Sequence, residues 1–93
     1  MAVTAARLVI TGRVQAVGFR LWAKREARSR ALRGWVRNLR DGSVEALAIG
    51  EAAAVDAFAT ACHSGPAMAR VVTVRREAAS DDGSPGFDER ATV

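Results

Sequence analysis

Cysteine, histidine and lysine are nearly missing from the sequence, which holds one of each: Cys62, His63 and Lys24. A single cysteine excludes an internal disulfide, and one cysteine with one histidine cannot supply the four ligands of a tetrahedral zinc site. Cys62 and His63 are adjacent on a predicted helix and do not share a face, so a thiol–imidazole catalytic pair is not expected. We therefore expect neither a metal nor a cofactor.

Long apolar runs are missing as well. No run approaches the ~20 residues that cross a bilayer, and the N-terminus lacks the charged start and apolar stretch of a secretory signal. The 93 residues are 49% hydrophobic and 26% charged, with two prolines, which is typical of a folded chain with one core. The sequence predicts one domain over residues 1–93 that is cytoplasmic, has no membrane partner and is a monomer.

The hydrophobic pattern predicts strands and helices in the order βαββαβ. Short aliphatic runs closed by glycine or turn residues indicate strands, and apolar residues at i+4 spacing indicate helices. The predicted elements are a strand at 6–13, a helix at 19–32, strands at 34–40 and 43–49, a helix at 51–63, a strand at 70–77 and a weak closing segment at 87–93. Two helices on one face of a mainly antiparallel sheet make an α+β sandwich of the ferredoxin-like class.

Most aromatic and charged side chains fall in patterns that favour structural roles. Four aromatic residues are expected in the core: Phe19, Trp22, Trp35 and Phe58. A solvated helix face is expected for three basic residues: Lys24, Arg25 and Arg28. Asp81 and Asp82 lie in a loop rich in Gly, Ser and Pro, where turn formation is a better interpretation than acid–base chemistry.

The excess of arginine invites a nucleic-acid hypothesis. Lysine and arginine number 14 against 10 acidic residues, giving a net charge of +4, and 13 of the 14 are arginine. Twenty alanines accompany them, so a compositional bias of the source genome explains the excess equally well. The RNA-recognition module shares the βαββαβ order but needs aromatics on its central strands. Segments 43–49 and 70–77 have none, and we expect no nucleic-acid partner.

The segment 12–20, GRVQAVGFR, joins the first strand to the first helix. Free backbone N–H groups and the helix dipole favour an anion at such a helix start, and the guanidinium of Arg20 suits phosphate oxygens. A plain turn with a solvated arginine is the alternative, because neither a Walker A loop nor a GxGxxG motif is present. The predicted phosphate-binding residues are Val14, Gln15, Ala16, Val17, Gly18, Phe19 and Arg20.

Asn38 lies just before the Arg40-Asp41-Gly42 turn. Its carboxamide can both donate to and accept from a water molecule. We expect the strand after the first helix to lie near the first strand, which would bring Asn38 to the anion site. The alternative is local, since asparagine near a turn commonly bonds its own backbone.

Three stretches together resemble the acylphosphatase family of small ferredoxin-like enzymes that hydrolyse carboxyl phosphates. They are GRVQAVGFR, GWVRNLRDGSVEALAIG and GPAMARV, within a similarity that runs from about Leu8 to Phe87. The resemblance implies that the loop amides and Arg20 hold the phosphoryl group of a small acyl phosphate. It also implies that Asn38 positions the attacking water, so that Arg20 and Asn38 are the catalytic residues.

One position departs from the family pattern, because glycine is usual where this sequence has Ala16. If that position requires a positive φ, alanine costs on the order of 1 kcal/mol there. The departure keeps a second hypothesis open, in which the domain senses phosphate or an acyl phosphate without catalysis. Turnover of acetyl phosphate would separate the enzyme from the sensor.

Overall fold

A computed structural model describes residues 2–93 of the chain. Its elements are β1 (Val3–Arg13), α1 (Phe19–Ser29), β2 (Arg33–Asn38), β3 (Val44–Glu51), α2 (Ala52–Cys62), β4 (Arg70–Ala78) and β5 (Phe87–Arg90). The predicted order is confirmed, and the weak closing segment contains a fifth strand. None of the helices in the described residues is long and apolar enough to span a membrane.

The five strands form one mixed sheet in the order β4-β1-β3-β2-β5. Every neighbouring pair is antiparallel except β2 and β5, which run parallel. β2 is not a direct neighbour of β1, because β3 lies between them. Asn38 instead ends β2 beside the start of β3, where its Cα partner is Val44.

Both helices pack on one face of this sheet, as predicted. The strands alternate, so that Leu8 and Ile10 of β1 and Val36 of β2 point toward the helices and are fully buried. Phe19 of α1 and Phe58 of α2 meet them there, each at most 2% exposed. One core therefore lies between the helix layer and the sheet.

Trp35 corrects the expectation that the aromatics share one core. It lies on the other face of the sheet, where it packs with Leu47 and Ile49. The guanidinium groups of Arg37 and Arg90 lie 4.5 and 4.9 Å from its ring centroid, a distance at which cation–π attraction acts. The indole is therefore covered by apolar neighbours in the sheet and by two guanidinium groups rather than by a helix.

Helix α1 ends three residues before the predicted end at residue 32 because the chain turns at Ala31. Ala31 has φ 57°, in the left-handed region. Its N–H donates to Arg28 O, and the next N–H, of Leu32, donates to Ala27 O. This is the Schellman pattern that ends many helices, with alanine where glycine is usual.

Three basic side chains of α1, spaced four residues apart, reach β5. Arg20 Nη1 donates to Arg90 O, Lys24 Nζ pairs with Glu89, and Arg28 Nε donates to Phe87 O. The expected exposure is confirmed for Arg25 and Arg28, whereas Lys24 is only partly exposed because it pairs with Glu89. The closing strand was too short for its pattern to reveal these contacts.

Candidate active site

The segment from Val14 to Gly18 connects β1 to α1 and is held in place by its first two residues. Val14 is buried in the core, with 1% exposure. Gln15 Nε2 donates to Leu39 O at 2.7 Å and to Ser43 O at 2.9 Å, which ties the segment to the β2–β3 turn. Ala16 and Gly18 have positive φ, 59° and 78°. The loop is thus a fixed structure with two left-handed residues.

Backbone donors accumulate where this loop enters α1. Gly18 is the N-cap and gives no side-chain acceptor, and the first turn contains no acidic residue. Trp22 N donates to Gly18 O at 3.0 Å, so the N–H groups of Phe19, Arg20 and Leu21 have no acceptor within the helix. These donors and the positive end of the helix dipole favour an anion here.

Arg20 lies in this first turn and is half-buried. Its only hydrogen bond in the described residues is the one from Nη1 to Arg90 O, at 3.3 Å. None of the ion pairs formed by residues 2–93 includes Arg20. The guanidinium keeps most of its five donors for a ligand.

The Asn38 carboxamide has no hydrogen-bond partner among residues 2–93, and the side chain is partly exposed. The turn that follows is held by Asp41, whose Oδ1 accepts from Ser43 N at 2.9 Å and from Ser43 Oγ at 2.5 Å. These bonds lower the pKa of Asp41, the side-chain bond contributing most. Asp41 makes the side-chain hydrogen bonds that hold this turn. The alternative role for Asn38, in which its side chain bonds the backbone of the turn, is therefore not the one it adopts.

One cavity of about 130 Å³ brings most of these groups together. It is lined by Val14, Ala16, Gly18, Phe19, Arg20, Leu21, Asn38 and Glu89. The two predicted loop residues that do not line it are Gln15, which fixes the loop from behind, and Val17, which packs on the core. Leu21 and Glu89 were not predicted.

A larger cavity, of about 390 Å³, lies at the opposite end of the sheet. Two guanidinium groups line it, those of Arg30 and Arg33. Both are already engaged, since Arg30 Nη2 pairs with Glu26 at 3.0 Å and Arg33 pairs with Asp81. Size alone therefore does not identify the functional site.

The remaining candidate nucleophile is Cys62, which is fully buried on α2. Burial raises the pKa of its thiol to about 12, and the charge of Glu26 acts in the same direction. A thiol in that state is a packing group. Within residues 2–93, no three His, Cys, Asp or Glu side chains are arranged to hold a metal ion.

Comparison with known proteins places the chain in a family. The family model described as Acylphosphatase matches residues 6–88. The chain belongs to the acylphosphatase family. An acylphosphatase of Acidiphilium cryptum is 48% identical over 88 residues, which is 95% of this chain and 97% of that protein.

Solved acylphosphatase structures have the same fold. The crystal structure of acylphosphatase from Bacillus subtilis is 36% identical with a TM-score of 0.90, covering 96% of this chain and 99% of that one. An acylphosphatase from Coxiella burnetii is 32% identical with a TM-score of 0.91, covering 95% and 93%. The ferredoxin-like fold and the family resemblance are therefore confirmed.

Glu89 is the charged residue of this acylphosphatase cavity that the sequence did not indicate. It follows the buried Phe87 by two positions on β5, so both point to the helix face. That alternation spans only four residues. Its partner, Lys24, follows Arg20 by four residues, which is about one helical turn. This spacing of two basic residues on one side of α1 is visible in the sequence.

Proposed function

We propose that this chain is an acylphosphatase that hydrolyses the carboxyl–phosphate bond of a small acyl phosphate at the cavity around Arg20. One observation carries the proposal: three kinds of group line the same cavity. They are an arginine that has no acidic partner among residues 2–93, the free N–H groups of a helix start, and the Asn38 amide, which has no hydrogen-bond partner among those same residues. The first two bind an anion, and the third can hold a water molecule.

The phosphoryl group binds to the Arg20 guanidinium and to backbone N–H groups of the loop and of the first turn of α1. Arginine matches phosphate oxygens with two parallel donors, which fixes orientation as well as charge. The same donors stabilise charge on the equatorial oxygens as the phosphorus–oxygen bond to the acyl group breaks. The loop residues Ala16 and Gly18 set the direction of the donors through their positive φ.

Asn38 holds the attacking water on the side of the phosphorus away from the leaving group. A carboxamide is too weak a base to remove the proton, so its role is to orient the water. The water oxygen bonds to phosphorus, the bond from phosphorus to the acyl oxygen breaks, and a carboxylate leaves with the bonding electrons. The water proton passes to a phosphoryl oxygen, which gives inorganic phosphate.

The leaving group limits the substrate class. A carboxylate leaves without protonation, so the reaction needs no general acid, and no His, Cys or buried carboxylic acid is required at the site. An alkyl phosphate would need to expel an alkoxide. We therefore expect alkyl phosphate monoesters to be poor substrates.

We also propose that the monomer is the working unit. Light scattering coupled to gel filtration tests this point. The cytoplasmic location stays a prediction from the sequence.

The decisive experiment measures hydrolysis of benzoyl phosphate or acetyl phosphate together with binding of inorganic phosphate by calorimetry. We expect turnover that Arg20→Ala abolishes or strongly reduces. Arg25→Ala is the matched control, because it removes the same charge from an exposed position on the same helix. Phosphate binding without turnover would instead identify the non-catalytic sensor.

A further inference from the structure

A carboxylate lies at the edge of the phosphate cavity. Glu89 on β5 lines the cavity together with Arg20 and Asn38. Its Oε2 lies 2.8 Å from Lys24 Nζ, and the two side chains are 33% and 24% exposed. The function proposed above gives no role to either residue.

Such a carboxylate has two unfavourable effects on an anion site. It repels the bound dianion, and it is a competing partner for the arginine that should bind the phosphate. Arg20 is near enough to compete, since its Nη1 donates to the carbonyl oxygen of Arg90, the residue after Glu89. Glu89 nevertheless pairs with Lys24 and not with Arg20.

Helical spacing explains why Glu89 pairs with Lys24. Lys24 follows Arg20 by four residues, so both basic groups project from the same side of α1 toward β5. Arg28, four residues further, donates to Phe87 O and pairs with Asp88 at 3.4 Å. The three side chains are thus in register with β5, which brings Lys24 opposite Glu89.

We propose that Lys24 is a positioning residue for phosphate binding: it holds the Glu89 carboxylate and so leaves the Arg20 guanidinium available to the phosphoryl group. The inference rests on the proposed function. Without Lys24, Glu89 turns to Arg20, and phosphate must displace it. Lys24 therefore acts only through Glu89.

A double-mutant cycle tests this dependence. The variants are Lys24→Met, which keeps the apolar stem, Glu89→Gln, and the two combined. Dissociation constants for inorganic phosphate are measured by calorimetry, with KM and kcat for benzoyl phosphate. Lys24→Met should raise the phosphate Kd and KM roughly tenfold, while kcat at saturation changes less than about threefold.

In the Glu89→Gln background, the same Lys24→Met change should alter the phosphate Kd by less than about twofold. Lys24→Arg, which keeps the ion pair, should bind phosphate as the parent does. Arg25→Met controls for the loss of one positive charge on α1. Circular dichroism and urea unfolding verify that each variant is folded.

Two results would overturn the inference. One is an unchanged phosphate Kd in Lys24→Met, and the other is equal weakening in both backgrounds, which would mean that Lys24 contacts the phosphate itself. In either case the parent still hydrolyses benzoyl phosphate, so the proposed function stands. A parent that neither binds phosphate nor turns over would remove both proposals.

Discussion

Ala16 and Ala31 lie on either side of α1 and share an unusual backbone conformation, with φ of 59° and 57°. Left-handed conformations cost a residue with a Cβ about 1 kcal/mol relative to glycine. Ala16 lines the phosphate cavity, whereas Ala31 ends the helix far from it. The two alanines therefore have the same backbone strain, but only Ala16 has it at the phosphate cavity.

Replacing each alanine by glycine separates stability from catalysis. Ala16→Gly and Ala31→Gly should each raise the melting temperature, by about 4–8 °C for a gain of roughly 1 kcal/mol in a domain of this size. Only Ala16→Gly should also change kcat or the phosphate Kd, because only that position orients cavity N–H groups. Thermal unfolding followed by circular dichroism and benzoyl phosphate kinetics provide the measurements.

Ala31→Gly is the matched control for this comparison. A melting temperature that does not rise in either variant would contradict the assigned strain. An equal effect of both substitutions on kcat would show that the activity follows overall stability and not the geometry of the loop.

Periodicity was enough to predict most of the fold. The i+4 spacing of Phe19, Ala23 and Ala27 and the turn at Asp41-Gly42 are local signals, and the elements they predict are confirmed. The end of α1 was misjudged because a left-handed alanine at Ala31 is not distinguishable from a helical one in the sequence. The position of β3 between β1 and β2 was not predicted, since pairing between distant strands leaves little local signal.

The site was predictable where its residues are close in sequence. The loop, Arg20 and the start of α1 are consecutive, so their meeting at one point follows from helix geometry. Asn38 was suggested by the expected position of its strand, but the local turn role stayed open and only the family resemblance implied that it positions the water. Glu89 was missed because four residues of β5 give too short a pattern to predict a strand or its face.

The buried thiol provides a test of the packing around α2. Burial raises the pKa of Cys62 to about 12, so almost no thiolate is present at pH 8. We expect a thiol reagent to modify the native protein only as fast as it unfolds, and one thiol to react at once in concentrated urea. Rapid labelling of the native protein would contradict the buried position.

Among residues 2–93, Glu45 is the one buried carboxylate on the sheet face opposite the helices. It is 4% exposed and pairs with Arg7 and, at 2.6 Å, with Arg37 Nε. Its hydrogen bond is the main cause of the raised pKa of Arg7. Glu45→Gln leaves the Arg37 guanidinium without a carboxylate partner among residues 2–93 and leaves Arg7 with Glu77 alone, and we expect a loss of about 2 kcal/mol in the free energy of unfolding.

Glu77→Gln is the control for Glu45→Gln, because Glu77 pairs with the same Arg7 from a half-exposed position. An exposed pair of this kind contributes less than about 1 kcal/mol. Urea unfolding of both variants gives the difference. Equal losses would mean that burial does not decide the strength of these pairs.

Arg20 is expected to bind the phosphoryl group before and during the reaction. Arg20→Ala should therefore lower kcat and also raise the inhibition constant of inorganic phosphate. Arg20→Lys should restore little, because a single ammonium replaces the two parallel donors of a guanidinium. Wild-type phosphate inhibition in Arg20→Ala would contradict the role.

Asn38 is expected to act on the water alone, and this separates it from Arg20. Asn38→Ala removes the only group proposed to orient the water, so kcat should fall by about 100-fold or more. The inhibition constant of inorganic phosphate should stay nearly unchanged, because the amide does not hold the phosphoryl group. The turn beyond it is held by Asp41 and Ser43, so the fold should be preserved, which circular dichroism verifies.

Full turnover in Asn38→Ala would exclude the water-positioning role. A rise in the phosphate inhibition constant that parallels the loss of kcat would make Asn38 a phosphate ligand instead.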